Sequence, residues 1–473
     1  MSFIGIDLGT SFIKGAVLDL DGLQIRHIQR VPFPAPQSGR PALYLEFDPA
    51  EILAAVHTLL ATLLPLADDC QGIAICGLMH GLVFADECGR PHSSLTTWQD
   101  QRVLEPHPSG LGTYFDALAI RLTADERRQL GNELRPGLPV SVLFWLAERG
   151  ELPEPHLVPA SLPDFVVGNL CETTPTTETT NGMAHGALNL ETMDWHYGVI
   201  ARLGLAGLAW PAVRPQGTVA GRLNWGGRAI PIYTPAGDFQ VSLAGALIQP
   251  GELSLNISTG SQVSTLLPDL GFGDFQTRPF FDGRFLATVT HIPAGRALNA
   301  LVRLFSELAA AEGLVLRDPW GYIARAAAEA RPPHLHANLA FFSSAFGDHG
   351  ALTGLREEEL TVGHLFRAAF ENMADNYDAA ARRVARGQPW RGLVFSGGLV
   401  RKLDVLRELI CARFASPFRL CPSAEDTMLG LLALALAFTR RTATVAEAMQ
   451  LLLAAYRDET DPAGSQAGPA GEG

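Results

Sequence analysis

No two cysteines of this 473-residue sequence have the CxxC spacing that is typical of zinc sites and redox motifs. The six cysteines are scattered, so we expect neither a disulfide framework nor a metal cluster, and a reducing compartment is predicted. The amino-terminal residues show no basic region and no small-residue cleavage site of a signal peptide. The longest apolar run, Met428 to Phe438, is too short to span a bilayer. These features predict a cytoplasmic protein without a membrane partner.

Charged residues are also scarce, at 18%, and acidic ones predominate by 49 to 36, which gives a formal net charge of -13. An acidic surface repels phosphate polymers, so nucleic acid is not expected as a partner. A small anionic ligand in a locally positive pocket stays compatible with this charge. The sequence GxxxxGK[ST] is absent, which argues against a P-loop nucleotide site.

The order of apolar runs and turn residues predicts an α/β protein with two domains. A single hydrophobic core stops growing at roughly 250–300 residues, and this chain is longer. Strand patterns that alternate with helix patterns, and an early hairpin that turns at Asp21-Gly22, indicate the α/β class. We place the domain boundary near Gln249-Pro250-Gly251, which gives domains of residues 1–248 and 249–457. Residues 458–473 are rich in Gly, Pro, Ala and acidic side chains and are predicted to be disordered.

Two short turns have the composition of phosphate-binding loops. Asp7 ends the first apolar strand and is followed by Gly9, Thr10 and Ser11, whose small size lets backbone N–H groups approach phosphate oxygens. An aspartate at that position can hold Mg²⁺, usually through water. Ser258-Thr259-Gly260-Ser261 repeats this strand-and-turn layout in the second half of the chain. Taken singly, each is equally well an ordinary hairpin turn or loop.

Gly237-Asp238-x-Gln240 follows an apolar stretch and precedes a predicted helix. Asp238 in this position is either a helix N-cap or a catalytic base that takes a proton from an attacking hydroxyl. Gly397-Gly398 lies at a strand-to-helix junction, where bare backbone can accommodate a flat ligand or simply form a tight turn. The segments Met79-His80-Gly81 and Trp98 to Arg102 supply polar and aromatic groups that suit a sugar or, alternatively, belong to the core.

In this order, the motifs resemble the FGGY carbohydrate kinases over residues 3 to about 440. The resemblance rests on the co-occurrence of seven segments: Gly5-x-Asp7-x-Gly9-Thr10-Ser11, Met79-His80-Gly81, Trp98-x-Asp100-x-Arg102, Gly237-Asp238-x-Gln240, Ser258-Thr259-Gly260, Gly397-Gly398-Leu399 and Glu425 to Gly430. It implies a two-lobed, actin-like ATPase (ribonuclease H-like) fold with an active-site cleft between the lobes. ATP and Mg²⁺ are the implied cofactors, and a sugar is the implied substrate.

The resemblance also implies a role for each matching residue. Asp238 is the implied base and, with Asp7, a magnesium-positioning residue. The implied phosphate and nucleotide contacts are Gly9, Thr10, Ser11, Ser258, Thr259, Gly260, Gly397, Gly398 and Lys402. The implied sugar-site residues are Met79, His80, Gly81, Trp98, Asp100 and Gln240.

Within the family, several segments look more like the members that act on sedoheptulose than like those that act on xylulose or glycerol. Sedoheptulose is therefore the expected acceptor, and xylulose or another sugar of the family is the alternative. Departures from the family pattern, such as Leu78 in place of Gln and Arg296 within an expected Gly-Gly pair, concern substrate and nucleotide details. Two other classes stay open, a non-transferring actin-like ATPase and an inactive sugar-binding relative.

Overall fold

The structure, a computed structural model, describes residues 1–331 and 334–460, with side chains described to residue 456. The strands in chain order are β1 (Ser2–Leu8), β2 (Phe12–Asp19), β3 (Gln24–Pro32), β4 (Glu46–Phe47), β5 (Cys70–Gly77), β6 (Val83–Ala85), β7 (Leu95–Thr96), β8 (Val158–Ala160), β9 (Thr176–Glu178), β10 (Leu188–Asn189), β11 (Asp194–Trp195), β12 (Ala212–Arg214), β13 (Val219–Trp225), β14 (Arg228–Tyr233), β15 (Ala236–Gly237), β16 (Glu252–Ile257), β17 (Ser261–Leu267), β18 (Gln276–Pro279), β19 (Phe285–Ile292), β20 (His336–Asn338), β21 (Ala351–Thr353), β22 (Gly392–Ser396) and β23 (Phe418–Leu420).

The helices in chain order are α1 (Pro49–Leu63), α2 (Tyr114–Arg121), α3 (Ala124–Gln129), α4 (Pro139–Arg149), α5 (Leu162–Cys171), α6 (Thr179–Gly182), α7 (Tyr197–Arg202), α8 (Asp238–Gly245), α9 (Gly295–Ala311), α10 (Pro319–Glu329), α11 (Val362–Ala385), α12 (Gly398–Lys402), α13 (Asp404–Phe414), α14 (Asp426–Phe438) and α15 (Val445–Thr460). The first three residues of the predicted disordered tail, 458–460, thus lie in α15. Residues 461–473 lie outside the described residues.

The chain divides into two compact units. The first contains Met1–Leu247, Arg278–Arg284 and the carboxy-terminal part from Glu425, and the second contains Ile248–Thr277 and Phe285–Ala424. The break at 247/248 lies one residue from the predicted boundary at 248/249. The predicted contiguous division is otherwise wrong, because α14 returns to the first unit and packs against β1 and α8. The contact is close: a Cβ atom on Gly245 would lie 1.7 Å from the Asp426 carbonyl oxygen.

The first unit is built on a sheet with the strand order β13-β14-β5-β1-β2-β3, and β15 pairs with β5. β1 is antiparallel to β2 and parallel to β5, so the chain forms a hairpin before its first helix. Strand β1 is buried along its whole length, as an apolar central strand should be. Helices α1 and α5 bury their apolar side chains in the same core as β1 and β5.

The second unit repeats this layout in a sheet with the order β18-β19-β17-β16-β22-β23. β16 is antiparallel to β17 and parallel to β22, as β1 is to β2 and β5. Its core contains side chains of α9, α10, α11 and α13. The weak duplication in the sequence is therefore confirmed as a duplicated strand topology.

Local sequence signals explain where several helices begin. Asp48 caps α1 by accepting a hydrogen bond from the Ala50 N–H at 2.9 Å, and Pro49 is the first helical residue. The segment Pro49–Leu66 is long and apolar enough to cross a membrane by length and composition alone. Its buried face, which includes Ile52 and Leu59, lies in the core of the first unit, and this accounts for its composition. Helix α12 begins at Gly398, at the strand-to-helix junction that the sequence predicts.

Candidate active site

Two predicted site carboxylates lie at one edge of the first unit's sheet. Asp7 is the second-last residue of β1, and Asp238 is the first residue of α8, directly after β15. β5 separates the two strands: Asp7 and Ala236 both pair with Cys76 in parallel register. Because neighbouring strands are about 4.8 Å apart, the two aspartates are about two strand spacings apart. The carboxyl ends of three parallel strands thus converge here, where α/β proteins commonly bind ligands.

The pKa values of these carboxylates are raised. Burial, together with the negative charge of Asp7, raises the pKa of Asp238 to about 7. Burial also raises the pKa of Asp7, although the Thr427 hydroxyl donates a hydrogen bond to its Oδ2 at 2.8 Å. Asp426, the first residue of α14, is a third such group, and burial and Asp7 raise its pKa to about 6. A cluster whose members oppose each other's ionisation is a place where a cation stabilises the charged forms.

The carboxylate set fits Mg²⁺ of the kind that is held by one or two carboxylates, water and phosphate oxygens. Among the described residues, no group of three or more His, Cys, Asp or Glu side chains forms a metal cage of its own. Asp7 and Asp238 are therefore suited to position a cation that phosphates and water also hold. The family resemblance implies this role for both residues, and the role stays a prediction.

The first predicted phosphate turn lies between β1 and β2. Thr10 and Ser11 are exposed, and Gly9 is half-buried. A Cβ atom on Gly9 would lie 3.0 Å from the Phe12 carbonyl oxygen, so a larger residue would be crowded there. The turn therefore presents backbone to solvent beside Asp7. Lys14 follows on β2, and its Nζ lies 3.0 Å from Glu425 Oε2.

The predicted sugar residues Met79, His80 and Gly81 follow β5 after Leu78, at the same sheet edge. Met79 is buried, and its Sδ would lie 3.3 Å from a Cβ on Gly237, which places it against the segment of Asp238. His80 has a φ of 67°, a left-handed conformation that is rare for a residue with a side chain. Its Nε2 lies 3.9 Å from Glu133 Oε1.

Trp98 is 43% exposed and can contact a ligand, whereas Asp100 is fully buried. The Asp100 carboxylate accepts hydrogen bonds from the Arg102 guanidinium at 2.8 Å and from the Leu45 N–H at 2.9 Å. Both oxygens of the Asp100 carboxylate therefore have internal partners, which does not support the predicted contact with the substrate. The two oxygens of Asp100 hold the segment that presents Trp98. The backbone of Trp98 packs against Gly137, where a Cβ atom would lie 2.1 Å from the Trp98 carbonyl oxygen.

Gln240, which the resemblance implies to be a sugar-site residue, has an internal partner instead. It is fully buried in α8, and its Nε2 donates a hydrogen bond to the Pro279 carbonyl oxygen at 3.2 Å. Its Oε1 is one of the buried polar atoms without a hydrogen-bond partner in the described part of the chain. Gln240 thus connects α8 to the 278–284 segment and presents no surface to a ligand.

A buried ion cluster beside Asp238 was missed by sequence reasoning. The Arg278 guanidinium lies 4.3 Å from the centre of the Phe239 ring and donates to Glu133 from Nε at 2.8 Å and from Nη2. Although burial opposes it, the charges of Arg278, His80 and Arg135 lower the pKa of Glu133. The partners are 145 positions apart in sequence, so no local pattern could have paired them.

The second unit has a cavity of about 480 Å³ that brings together four of its predicted nucleotide residues. These are Ser258, Thr259, Gly398 and Lys402. A Cβ on Gly398 would meet nothing within 4 Å, so the backbone of α12 borders open space in the cavity. The only lysines in the sequence are Lys14 and Lys402. The exposed side chain of Lys402 thus places a positive charge at the cavity.

Gly260 and Gly397 shape this region without lining the cavity. Gly397 has a φ of 92°, and a Cβ there would lie 2.4 Å from the Ile257 carbonyl oxygen, so only glycine fits. Gly295 supports the Ser258-Thr259 turn in the same way, with its N–H donating to the Ser258 carbonyl oxygen at 3.1 Å. The Arg296 side chain, noted as a departure, stacks over Phe342 at 4.3 Å.

Among the other residues that line the cavity, three that were not predicted can contact a ligand ring. Trp320 and Gly321 lie in the first turn of α10, and Asn299 lies on α9. An indole and apolar side chains can hold a purine ring, and an amide can satisfy its polar edge. Asp318 caps α10 by accepting a hydrogen bond from the Gly321 N–H at 2.9 Å. This capping residue is a local sequence signal for the start of the helix, but it does not indicate a ligand.

Residues 2–245 match the model of the amino-terminal domain of the FGGY family of carbohydrate kinases. The chain is 25% identical to the sedoheptulokinase of Homo sapiens over 464 residues, which covers 88% of this chain and 93% of that protein. It is 26% identical to the glycerol kinase of Saccharopolyspora erythraea over 439 residues, with 84% and 82% covered. Two solved structures are similar in fold: ligand-bound xylulose kinase from Lactobacillus acidophilus (TM-score 0.81, 18% identity, 97% and 96% covered) and Plasmodium falciparum glycerol kinase with ADP (TM-score 0.80, 15% identity, 95% and 92% covered). The predicted two-lobed, actin-like fold class is confirmed.

Proposed function

Because this chain belongs to the FGGY family of carbohydrate kinases and is an ATP-dependent sugar phosphotransferase, we propose that its acceptor is sedoheptulose and its product sedoheptulose 7-phosphate. The support is the alignment with the human and mouse sedoheptulokinases, each over 88% of this chain. Xylulose is the second candidate, because xylulose kinases are similar in fold over nearly the whole chain. Phosphoryl transfer of this type depends on alignment and charge neutralisation more than on covalent chemistry.

Asp238 is the proposed base, and its environment is the observation that carries this part of the proposal. Burial and the Asp7 charge raise the pKa of its carboxyl to about 7. A base is most effective when its pKa lies near the working pH, because it is then both ionised and able to accept a proton. At the first position of α8, Asp238 Oδ would take the proton of the attacking sugar hydroxyl. The N-cap alternative loses support because the N-cap residue is Gly237.

Asp7 is proposed to position Mg²⁺ together with Asp238. The bound ion would neutralise the phosphate oxygens and the negative charge of this carboxylate cluster. Thr427 keeps Asp7 in place, since its hydroxyl donates a hydrogen bond to Asp7 Oδ2. The exposed Gly9-Thr10-Ser11 turn would bind the terminal phosphates through its backbone N–H groups.

The cavity of the second unit is proposed to hold the nucleotide. Ser258 and Thr259 would contact phosphate oxygens, with Gly260 and Gly397 keeping the turn in shape. The adenosine would lie against Gly398 and Trp320, where bare backbone and an indole leave room for a flat ring. Lys402 would add a positive charge at the rim.

The sugar is proposed to bind near Met79, His80, Gly81 and the exposed face of Trp98. Glu133 and Arg278 support this site from within the core, because both are buried and Arg278 stacks on Phe239 directly beside the base. Asp100 and Gln240 support the site from within the core and do not touch the sugar in this proposal. The cytoplasmic location stays a prediction, and all six cysteines are free thiols.

The test is a measurement of ADP release from Mg·ATP with and without a panel of ketoses, on the full chain. The proposal predicts ADP release that depends on a ketose and a phosphorylated sugar in equal amount. ADP release without sugar would indicate a non-transferring ATPase, and sugar binding without ADP release would indicate an inactive relative. Asp238→Asn should lower kcat by about 10²–10⁴, the usual contribution of a positioned base. Normal turnover by this variant would contradict the role of Asp238.

A further inference from the structure

We propose that Thr180 is a positioning residue for the catalytic aspartate and acts through the backbone of Gly237. The proposal rests on the proposed function, in which Asp238 is the base. Gly237 directly precedes Asp238, and its N–H donates a hydrogen bond to Thr180 Oγ1 at 3.1 Å. Gly237 is also the N-cap of α8 and has no side chain with which to fix the start of that helix. The hydroxyl of Thr180 therefore supplies an anchor that the helix itself lacks.

The direction of this hydrogen bond is fixed by Glu178. A hydroxyl has one proton, and the Thr180 proton is donated to Glu178 Oε1. The same carboxylate oxygen accepts from the backbone N–H groups of Thr180 at 2.9 Å and Asn181 at 3.2 Å. Oε1 of Glu178 thus accepts from the Thr180 hydroxyl and from two backbone N–H groups. Because the hydroxyl proton points to Glu178, a lone pair of Thr180 Oγ1 can accept the Gly237 N–H. The result is a directed chain from the Gly237 N–H through Thr180 to Glu178.

The anchor is itself rigid. Thr180 and Glu178 are 1% and 2% exposed, so water does not compete for these hydrogen bonds. Asn181, the next residue, donates from Nδ2 to Asp164 Oδ1 at 2.9 Å and to Ser161 Oγ at 2.8 Å. These bonds tie the short helix α6 to the start of α5.

The approach of the two segments leaves little room for adjustment. A Cβ on Gly237 would lie 2.9 Å from the Thr180 carbonyl oxygen, so the glycine allows the backbones to touch. Loss of the Thr180 hydroxyl would leave the buried Gly237 N–H without its acceptor, and the segment would move to find another. A displacement of about 1 Å of a reacting group is enough to lower a rate by about 10²-fold. The effect should fall on the chemical step and not on nucleotide binding.

The experiment compares three variants with the wild-type full chain. Thr180→Val removes the hydroxyl at nearly constant shape, and Thr180→Ser restores it. Thr177→Val is the matched control: Thr177 is fully buried on the same segment, and its hydroxyl donates to the Glu178 carbonyl oxygen at 3.3 Å and accepts from Asn181 Nδ2 at 3.4 Å, without bonding to Gly237. Steady-state kinetics with sugar and Mg·ATP and the thermal unfolding midpoint are measured for each.

Thr180→Val should lower kcat by about 10- to 100-fold, with the KM for ATP unchanged and with a Tm close to that of Thr177→Val. Thr180→Ser should recover most of the wild-type kcat, and Thr177→Val should keep it. Equal loss of kcat in Thr177→Val and Thr180→Val would overturn the proposal, because the effect would then be general destabilisation. Wild-type kcat in Thr180→Val would also overturn it. Asp238→Asn distinguishes failure of the proposed function from failure of the positioning role. If that variant is inactive while Thr180→Val has normal activity, only the positioning role of Thr180 fails.

Discussion

The raised pKa of Asp238 makes a prediction about stability whose sign separates a catalytic base from a helix cap. An acidic residue that serves the N-terminus of a helix stabilises the protein, so its removal should be destabilising. A carboxylate whose pKa is raised by burial and by the charge of Asp7 has the opposite effect. Its ionised form is less stable in the folded protein than in the unfolded chain, so ionisation lowers the free energy of unfolding. Asp238→Asn should therefore stabilise the protein at pH 8 while it abolishes most of the activity.

The pH window follows from the direction of the shift. The unfolded chain releases the Asp238 proton near pH 3.8, whereas the folded protein retains it until about pH 7. Between these values the native state binds more protons, so the free energy of unfolding of the wild type falls as pH rises. The Asn variant has no such ionisation. Its advantage over the wild type should be absent below about pH 4, grow with pH and reach its full size above about pH 7.

The size of the effect can be worked from the same values. A shift from 3.8 to about 7 corresponds to about 4 kcal/mol at about 1.4 kcal/mol per pKa unit. Asp238 is only partly buried, so solvent screening reduces this, and about 2 kcal/mol is a reasonable expectation. For a unit of about 300 residues, that free energy corresponds to a rise in Tm of about 3 °C.

Differential scanning calorimetry of the full chain at pH 4 and pH 8 measures this difference. Asp48→Asn is the matched control, because Asp48 is a true N-cap with a bonded side chain, and asparagine caps a helix equally well. That control should show little change at either pH. A lower Tm of Asp238→Asn at pH 8, or a difference that does not depend on pH, would refute the reasoning.

Three further predictions concern the two binding sites. Gly398→Val should raise the Kd for ATP about tenfold in a calorimetric titration, because its side chain enters the cavity, while Gly207→Val, at a glycine that also has nothing within 4 Å, should not. AMP should protect Lys402 from acetylation in a mass-spectrometric assay and leave Lys14 as reactive as before; equal protection of both would contradict the adenosine site. Trp98→Ala should raise the KM for the sugar about tenfold through loss of apolar contact, with the KM for ATP unchanged.

Much of the site could be predicted because its parts are local in sequence. Asp7 and Ser258 each follow an apolar strand and precede small residues, and the structure shows both turns as hairpins. The start of α1 was likewise predictable, since Asp48 and Pro49 are adjacent. Signals of this kind depend on a few neighbouring side chains, and tertiary packing has little chance to override them.

The remainder depends on contacts between residues that are far apart in the chain. Nothing near Glu133 indicates that Arg278 is its partner, and nothing near Asp426 indicates that α14 packs on α8. The internal hydrogen bonds of Asp100 could not be predicted, because an acidic residue in a ligand-like motif has the same local sequence whether it faces a ligand or the Arg102 guanidinium. Burial and the number of internal hydrogen bonds decide between these alternatives, and both are properties of the fold.

The most direct test of the central claim is a side-by-side measurement of kcat/KM for sedoheptulose and xylulose at saturating Mg·ATP. A site that bonds the hydroxyls of a seven-carbon ketose leaves buried polar groups unpaired when a shorter sugar binds, and this penalises the shorter sugar. We therefore predict that kcat/KM for sedoheptulose exceeds that for xylulose by about tenfold or more, with sedoheptulose 7-phosphate as the product. Equal values, a reversed ratio or phosphorylation at another position would contradict the assignment.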